Sequence, residues 1–359
     1  MKESLLFIPD ISGFTEFVQN TEVEHSQHVI AELLEILIDA NTQELQLAEV
    51  EGDALFFYKE GEIPSLEKLL AQVETMFTAF YSHLKLLEKN RICPCHACST
   101  AHNLELKIIV HGGNLQFITV QEKRKPFGPQ VIEAHRLMKN SVKSDNYVLL
   151  SKDISDLIAL SPTYQSRLYN FQMGENSYDG KTLPYVYAVI DNTELKLKPF
   201  SQAKKITFNH PPPLVFEKEY PVMASQLIEI ITNYAYRHHW VAGVDKFEFN
   251  ENEVTRLGSE HVCVINNKHL NFITVTKEAE PGTVVYGELT TEVPIMDEFY
   301  QFYSVSSVSN TRCLLQVEVY WKVKSPLKRL ILYTVGKKSI RKNTLNAMEA
   351  LLQFVEKEK

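Results

Sequence analysis

Leu5-Leu6-Phe7-Ile8-Pro9-Asp10-Ile11-Ser12-Gly13-Phe14-Thr15-Glu16-Phe17 is the stretch on which the fold turns. Its first four residues are an apolar run that reads as a buried strand, Asp10 stands at the strand's end, and Gly13-Phe14-Thr15 turns the chain into a helix. A carboxylate at a strand end, followed by a turn whose backbone N–H groups point outward, suits a divalent ion and the phosphates it carries. The plainer reading of the same residues is a surface acid beside a helix start.

Beyond this stretch, Val29, Ile30, Leu33, Leu34, Leu37 and Ile38 recur at spacings of three and four, which predicts an amphipathic helix over 22–40. Two apolar runs around Glu51-Gly52-Asp53 predict a hairpin whose turn presents a second aspartate. A long helix follows from Pro64 to about Asn90, with Leu69, Leu70, Val73, Met76, Phe77, Phe80 and Leu84 on one face. Next come a strand from Leu104 to Val110, a Gly112-Gly113 turn, a strand from Gln116 to Val120, a helix after Phe127-Gly128-Pro129, a strand over 147–150 and a closing strand over 185–190. Ser151 is placed to cap a short helix. Strands and helices alternate, with hairpins as well as crossovers, so a mixed sheet domain ending near Asp191 is expected.

The chain's 359 residues exceed one ordinary core, so two domains are expected. A hydrophobic content of 44% with 23% charged residues belongs to a soluble globular protein. The formal net charge of -8 argues against broad affinity for nucleic acid or an anionic membrane. With no secretory leader and no apolar run long enough for a membrane span, a cytoplasmic location is expected. Five cysteines, three of them in Cys93-Pro94-Cys95-His96-Ala97-Cys98, do not resemble a disulfide framework.

The order of motifs resembles the class III adenylyl/guanylyl cyclase homology domain over about residues 4–190. The likeness is carried by Phe7 to Thr15, Glu49-Val50-Glu51-Gly52-Asp53-Ala54, Ile109-Val110-His111-Gly112-Gly113, Phe127-Gly128 through Ala134-His135-Arg136-Leu137, and Tyr147 to Ser151. It is similar in particular to a bacterial branch that adds the Cys-Pro-Cys-x-x-Cys insertion. The resemblance implies a ferredoxin-like sheet with helices on one face, paired head to tail as a homodimer. It also implies that Asp10 and Asp53, with the backbone of Ile11, hold two magnesium or manganese ions against a nucleoside triphosphate. Gly13, Phe14 and Thr15 would then offer N–H groups to the β and γ phosphates.

Other family positions diverge. The purine-reading position four before Asp53 is Glu49, and its partner three before Gly128 is Lys125. Glutamate can accept from guanine N1–H and N2–H₂, and lysine can donate to O6 or N7; a simple Glu49–Lys125 salt bridge is the alternative. In the family an asparagine and, four residues on, an arginine stabilise the transition state from the opposite subunit. Arg136 matches the arginine, but Ile132 occupies the asparagine position and cannot donate a hydrogen bond. A divergent cyclase with weak or lost turnover follows. The contrasting expectation is a non-enzymatic signalling protein in which this half is a dimerisation scaffold.

Cys93, Cys95 and Cys98, with His96 and His102 nearby, invite zinc or an iron–sulfur centre, against a redox-sensitive loop or plain thiols at a proline turn. Residues 192–213, rich in lysine and ending Pro211-Pro212-Pro213, read as a linker. From 214 to 359 a strand, a helix over 224–236, six further strands and one long terminal helix from Pro326 to Glu358 are expected. This half is similar in architecture to the START-related helix-grip superfamily, known from polyketide cyclases and lipid-transfer proteins. The likeness includes Trp240-x-x-Gly243 and Gly258-Ser259-Glu260-His261. It implies a cavity for a hydrophobic small molecule, for which Trp240, Phe302 and Tyr320 are the lining candidates, although aromatics in strands are commonly plain core. The fold class expected is therefore α+β, a ferredoxin-like cyclase domain over 1–191 followed by a helix-grip domain over 214–359.

Overall fold

The computed structural model describes residues 3–20, 23–93, 95–200, 205–250, 253–265 and 267–357. Two compact units emerge, Met1–Leu86 with Thr100–Phe200, and Leu87–Ser99 with Ser201–Lys359. Residues 87–99, expected within the first domain, group with the second. There the Leu257 N–H donates to the Asn90 carbonyl at 2.8 Å and Ile92 packs on the core.

In the first unit β1 (Ser4–Ser12) leads through α1 (Phe14–Asn20) and α2 (Val23–Asp39) to the hairpin β2 (Gln46–Glu51) and β3 (Ala54–Lys59). Then come α3 (Leu66–Asn90), the short α4 (His96–Thr100) and β4 (Glu105–Gly113). The sheet runs β2-β3-β1-β4, every neighbouring pair antiparallel, which is the ferredoxin-like order for a βαββαβ chain. All nine residues of β1 are buried, so both faces of the sheet are covered at its centre and the strand reads as an unbroken apolar run rather than an alternation.

A detached hairpin, β5 (Gln116–Val120) with β6 (Lys123–Phe127), precedes α5 (Pro129–Leu137). After it β7 (Tyr147–Ser151), α6 (Lys152–Leu157), β8 (Gln172–Tyr178) and β9 (Lys181–Val189) extend the sheet in the order β4-β7-β9-β8. The crossover through α5 makes β4 and β7 parallel. Leu6 and Ile8 share a core cluster with Ile109, Leu149, Ala134 and Leu137, so the even-numbered face of β1 packs against α5. Ser151 caps α6 as expected, its Oγ accepting from the Ile154 N–H, and also lies 2.8 Å from His111 Nδ1. Gly112 and Gly113, read as a turn, instead finish β4.

The second unit holds β10 (Lys205–Ile206), β11 (Leu214–Tyr220), α7 (Ala224–Thr232), α8 (Arg237–Trp240) and β12 (Lys246–Glu248). Four long strands follow as β13 (Glu260–Ile265), β14 (Lys268–Lys277), β15 (Thr283–Thr290) and β16 (Glu298–Ser309), then β17 (Arg312–Lys322). The antiparallel sheet is ordered β11-β17-β16-β15-β14-β13-β12, a meander whose last strand pairs with the first. Its close is α9 (Pro326–Ile331), a π turn over Leu332–Gly336, and α10 (Lys337–Lys357).

Alternation along β16 and β17 splits the aromatics between two faces. Tyr303, Val305, Val317, Val319 and Trp321 join Trp240 and the α10 residues Met348, Leu351 and Val355 in one cluster. Tyr300, Phe302 and Tyr320 form another, over which Phe208 stacks on Tyr320 with ring centroids 3.8 Å apart. Gly287 is required beneath Phe302, since a Cβ there would lie 2.5 Å from the ring.

Candidate functional site

Asp10 lies on the α5 face of β1, directly opposite Ala54 on β3 and Lys107 on β4. Asp53 closes the β2–β3 turn just before Ala54, and its carbonyl accepts from the Ile11 N–H at 3.1 Å. The register therefore sets the two aspartates side by side where the β2–β3 turn meets β1, close enough for the charge of Asp53 to bear on Asp10. Asp10 is only 6% exposed, and burial, reinforced by the charge of Asp53, pushes its carboxyl up to about 6 against the pull of Lys107, whose Nζ is 3.4 Å away. Burial raises Asp53 as well. Two hard oxygen donors, Asp10 buried and Asp53 half-buried, fit a divalent cation, and Lys107 is the cation now beside them.

Gly13 follows β1 at φ +85°, a conformation that favours glycine, and Phe14 and Thr15 open α1. Glu49 and Lys125 meet across β2 and β6, Nζ donating to Oε2 at 2.9 Å in a half-exposed pair. The two purine-reading candidates are thus neighbours, here satisfying one another. Along α5 the buried face is Glu133, Ala134 and Leu137, so Ile132 and Arg136 turn away from their own core. Ile132 is 53% exposed and Arg136 pairs with the exposed Asp179 in the β8–β9 turn.

Lys107, Asp145 and Tyr147 also bear on the aspartates, since Asp145 raises Asp10 further and the Tyr147 hydroxyl responds to Asp10's charge. None was expected. Lys107 had a visible signal, a lone lysine within the apolar run Leu104-Glu105-Leu106-Lys107-Ile108-Ile109-Val110. Asp145 and Tyr147 enter through the β4–β7 pairing, which no local pattern announces.

Cys93, Cys95 and Cys98 form a possible metal-binding cluster: their sulfurs lie within 4.8 Å of one another, all three are buried, and none is in a disulfide. In the second unit Trp240 and the pair Phe302 and Tyr320 stand on opposite faces of the sheet, so the three do not line one cavity. The reason is parity, because Tyr303 and Trp321, not Phe302 and Tyr320, point toward α10.

The interior beside Trp240 is polar in a way the sequence reading missed. Arg237 Nη2 lies 2.7 Å from Glu288 Oε1 and donates to the Tyr286 hydroxyl at 3.0 Å, while Tyr286 donates to Glu288 at 2.7 Å. The guanidinium sits 4.8 Å from the Trp240 ring. His261 Nε2 is 3.6 Å from Glu288 Oε1, and burial pushes its imidazole down to about 4, so it is neutral at ordinary pH. Neither His261 ring nitrogen nor Trp240 Nε1 has a hydrogen-bond partner among the described residues.

A family model described as a protein of unknown function (DUF2652) matches residues 30–147. The uncharacterized protein Rv2561/Rv2562 of Mycobacterium tuberculosis is 30% identical over 129 residues, covering 36% of this chain and 60% of that relative's length. Among solved structures the chain is similar to the adenylyl cyclase CyaB from P. aeruginosa, at 18% identity over 53% of this chain and 94% of that one, with a TM-score of 0.39. It is also similar to the guanylate cyclase domain of RhGC from Catenaria anguillulae, at 14% identity over 53% and 98%, with a TM-score of 0.37. A norcoclaurine synthase from Thalictrum flavum matches at 12% identity over 40% and 94%, with a TM-score of 0.32. No helix among the described residues is long and apolar enough to cross a membrane.

Proposed function

We propose that the first unit binds a metal–nucleoside triphosphate as a divergent class III cyclase domain with weak or lost turnover. The observation that carries this reading is the closeness of Asp10 to Asp53 at the β2–β3 turn, with Asp10 desolvated and raised to about 6. Two magnesium or manganese ions, when bound, would supply positive charge at the α-phosphate and the attacking 3′-oxygen. Asp10 and Asp53 would hold them, and the Ile11 backbone lies beside both. The Gly13, Phe14 and Thr15 N–H groups would face the β and γ phosphates. Glu49 and Lys125 would open their exposed ion pair to take a guanine edge, exchanging one weak contact for two specific ones.

Arg136 would stabilise transition-state charge in a second copy of the chain. Its side of α5 faces away from its own core, and Asp179, to which it now pairs, is exposed enough to release it. Ile132 on the same side supplies no donor, and a missing preorganised donor costs on the order of 10²–10³ in rate. That deficit supports a second reading, in which the unit senses nucleotide and dimerises without forming product.

For the second unit, the strand order and the helix α10 over one face support the helix-grip reading. A molecule bound on that face would meet Arg237, Glu288 and His261, so its chemistry includes a polar group beside an apolar body. The test of the whole reading is incubation of the full chain with Mn²⁺ and GTP or ATP, measuring cyclic product. Slow product that vanishes in Asp53→Ala establishes a cyclase; nucleotide binding without product supports the sensing role; neither binding nor product refutes both.

A further inference from the structure

Cys93, Cys95 and Cys98 stand apart from the nucleotide reading. They come from a single stretch of chain, the loop after α3 and the first turn of α4, and their three sulfurs converge within 4.8 Å. Exposure is 4%, 8% and 9%, so no thiol is displayed to solvent as a reactive or redox-sensing group usually is. The backbone has already turned toward the sulfurs. The Cys95 N–H donates to Cys93 Sγ at 3.5 Å and the Cys98 N–H to Cys95 Sγ at 3.3 Å. Such N–H···S contacts disperse the charge of metal-bound thiolates and fix their orientation.

We propose that these three cysteines are ligands of a structural zinc ion, with one histidine completing a Cys₃His set. Two features select zinc over an iron–sulfur centre. Clusters of iron and sulfide are ordinarily held by four thiolates, and the two remaining cysteines, Cys263 and Cys313, sit in β13 and β17 outside this group. Zinc accepts three thiolates and an imidazole in a closed tetrahedron, which needs no open face and matches the burial. Binding forms three Zn–S bonds and releases the thiol protons to solvent; no electron is transferred.

The site explains how a short connection keeps a fixed shape. Of the described residues between α3 and α4, Ile92 is the one large aliphatic side chain, and apart from the bridge at Arg91 the stretch has no regular structure. A metal clip would hold its conformation, and with it the bridge from Arg91 to Arg256 and the Leu257-to-Asn90 hydrogen bond within the second unit.

The test is metal analysis of the full-length protein purified without added metal, alongside Co²⁺ exchange of the same preparation. The expected result is one zinc per chain, no iron, and a Co²⁺ spectrum with sulfur-to-metal charge transfer and intense tetrahedral bands. Cys95→Ser and Cys98→Ser should lose the zinc, while Cys263→Ala, as the control, keeps it. Single alanine variants of the chain's histidines identify the nitrogen ligand as the one whose loss weakens zinc binding against a competing chelator. Protein that is metal-free as purified, takes up no zinc on addition and gives no thiolate–Co²⁺ spectrum would overturn the proposal, as would stoichiometric iron with sulfide. The Co²⁺ measurement uses the unaltered chain, so it stands even where a cysteine variant fails to fold. It is also independent of nucleotide, so its failure leaves the cyclase-like reading untouched.

Discussion

Asp10 is a carboxylate in a place that does not favour charge, and its stability signature follows from that. Its folded-state value of about 6 exceeds the ordinary 3.8, so in metal-free protein it favours the fold below about pH 4, and that contribution is lost as pH rises through 6. At pH 8 the penalty is at most about 3 kcal/mol, two pKa units at 1.36 kcal/mol each. Asp10→Asn should therefore stabilise the chelator-treated protein at pH 8 and change little at pH 4, as read from urea midpoints at the two pH values. The same site should bind Mn²⁺ progressively less well below pH 6, where protons compete. Ile132 gives the complementary test. Being half-exposed, Ile132→Asn should move stability by less than about 0.5 kcal/mol, yet it restores the missing donor and should raise cyclic product on the order of 10²-fold. Unchanged product with nucleotide still bound would favour the sensing role. At this scale the aspartates were readable because Asp10 follows an apolar run and Asp53 a Glu51-Gly52 turn, although β1 continues past Asp10 to Ser12 and does not end there as expected. Lys107 escaped because its meaning lies in the register across β1 and β4.

Elements were legible where a single period ran through them, as in α2, α3 and the long strands β15, β16 and β17. The strand β8 was missed because it is an edge strand with polar residues and an exposed Met173, leaving no apolar alternation to detect. The terminal helix is expected from the sequence as one continuous element from Pro326 to Glu358. Instead α9 ends at Ile331, and a π turn over Leu332–Gly336, in which Leu332 is buried, separates it from α10. Leu330, Ile331 and Val335 are exposed, whereas Met348, Leu351 and Val355 are buried. Leu351→Ala should accordingly cost about 2–5 kcal/mol and Val335→Ala less than about 0.5, a contrast that thermal or urea unfolding would reveal directly. The Arg237–Glu288 pair joins α8 to β15 in the same interior. Arg237→Met alone should cost about 3–5 kcal/mol by stranding a buried carboxylate, and the double variant Arg237→Met with Glu288→Leu should cost clearly less than the two single losses summed. Additive losses would show that the two side chains act independently.

For the molecule as a whole, the mixed α+β class and the ferredoxin-like strand order were within reach of the sequence, because five motifs occur in a fixed order that no single motif could establish. The grouping of residues 87–99 with the second unit was not, since it rests on contacts far apart in the chain. Nor was the polar interior beside Trp240, where aromatic-rich strands gave every sign of a uniformly apolar core. What unifies the first unit is the pair of aspartates brought together where the β2–β3 turn meets β1, and the function proposed for it depends on their holding a metal with its nucleotide. Calorimetric titration of the full chain with GTP, and separately ATP, in the presence of Mn²⁺ examines this without requiring turnover. Binding that needs Mn²⁺, favours GTP and disappears in both Asp10→Ala and Asp53→Ala is the expected result. Absence of binding by either nucleotide, or binding that survives loss of both aspartates, would contradict it.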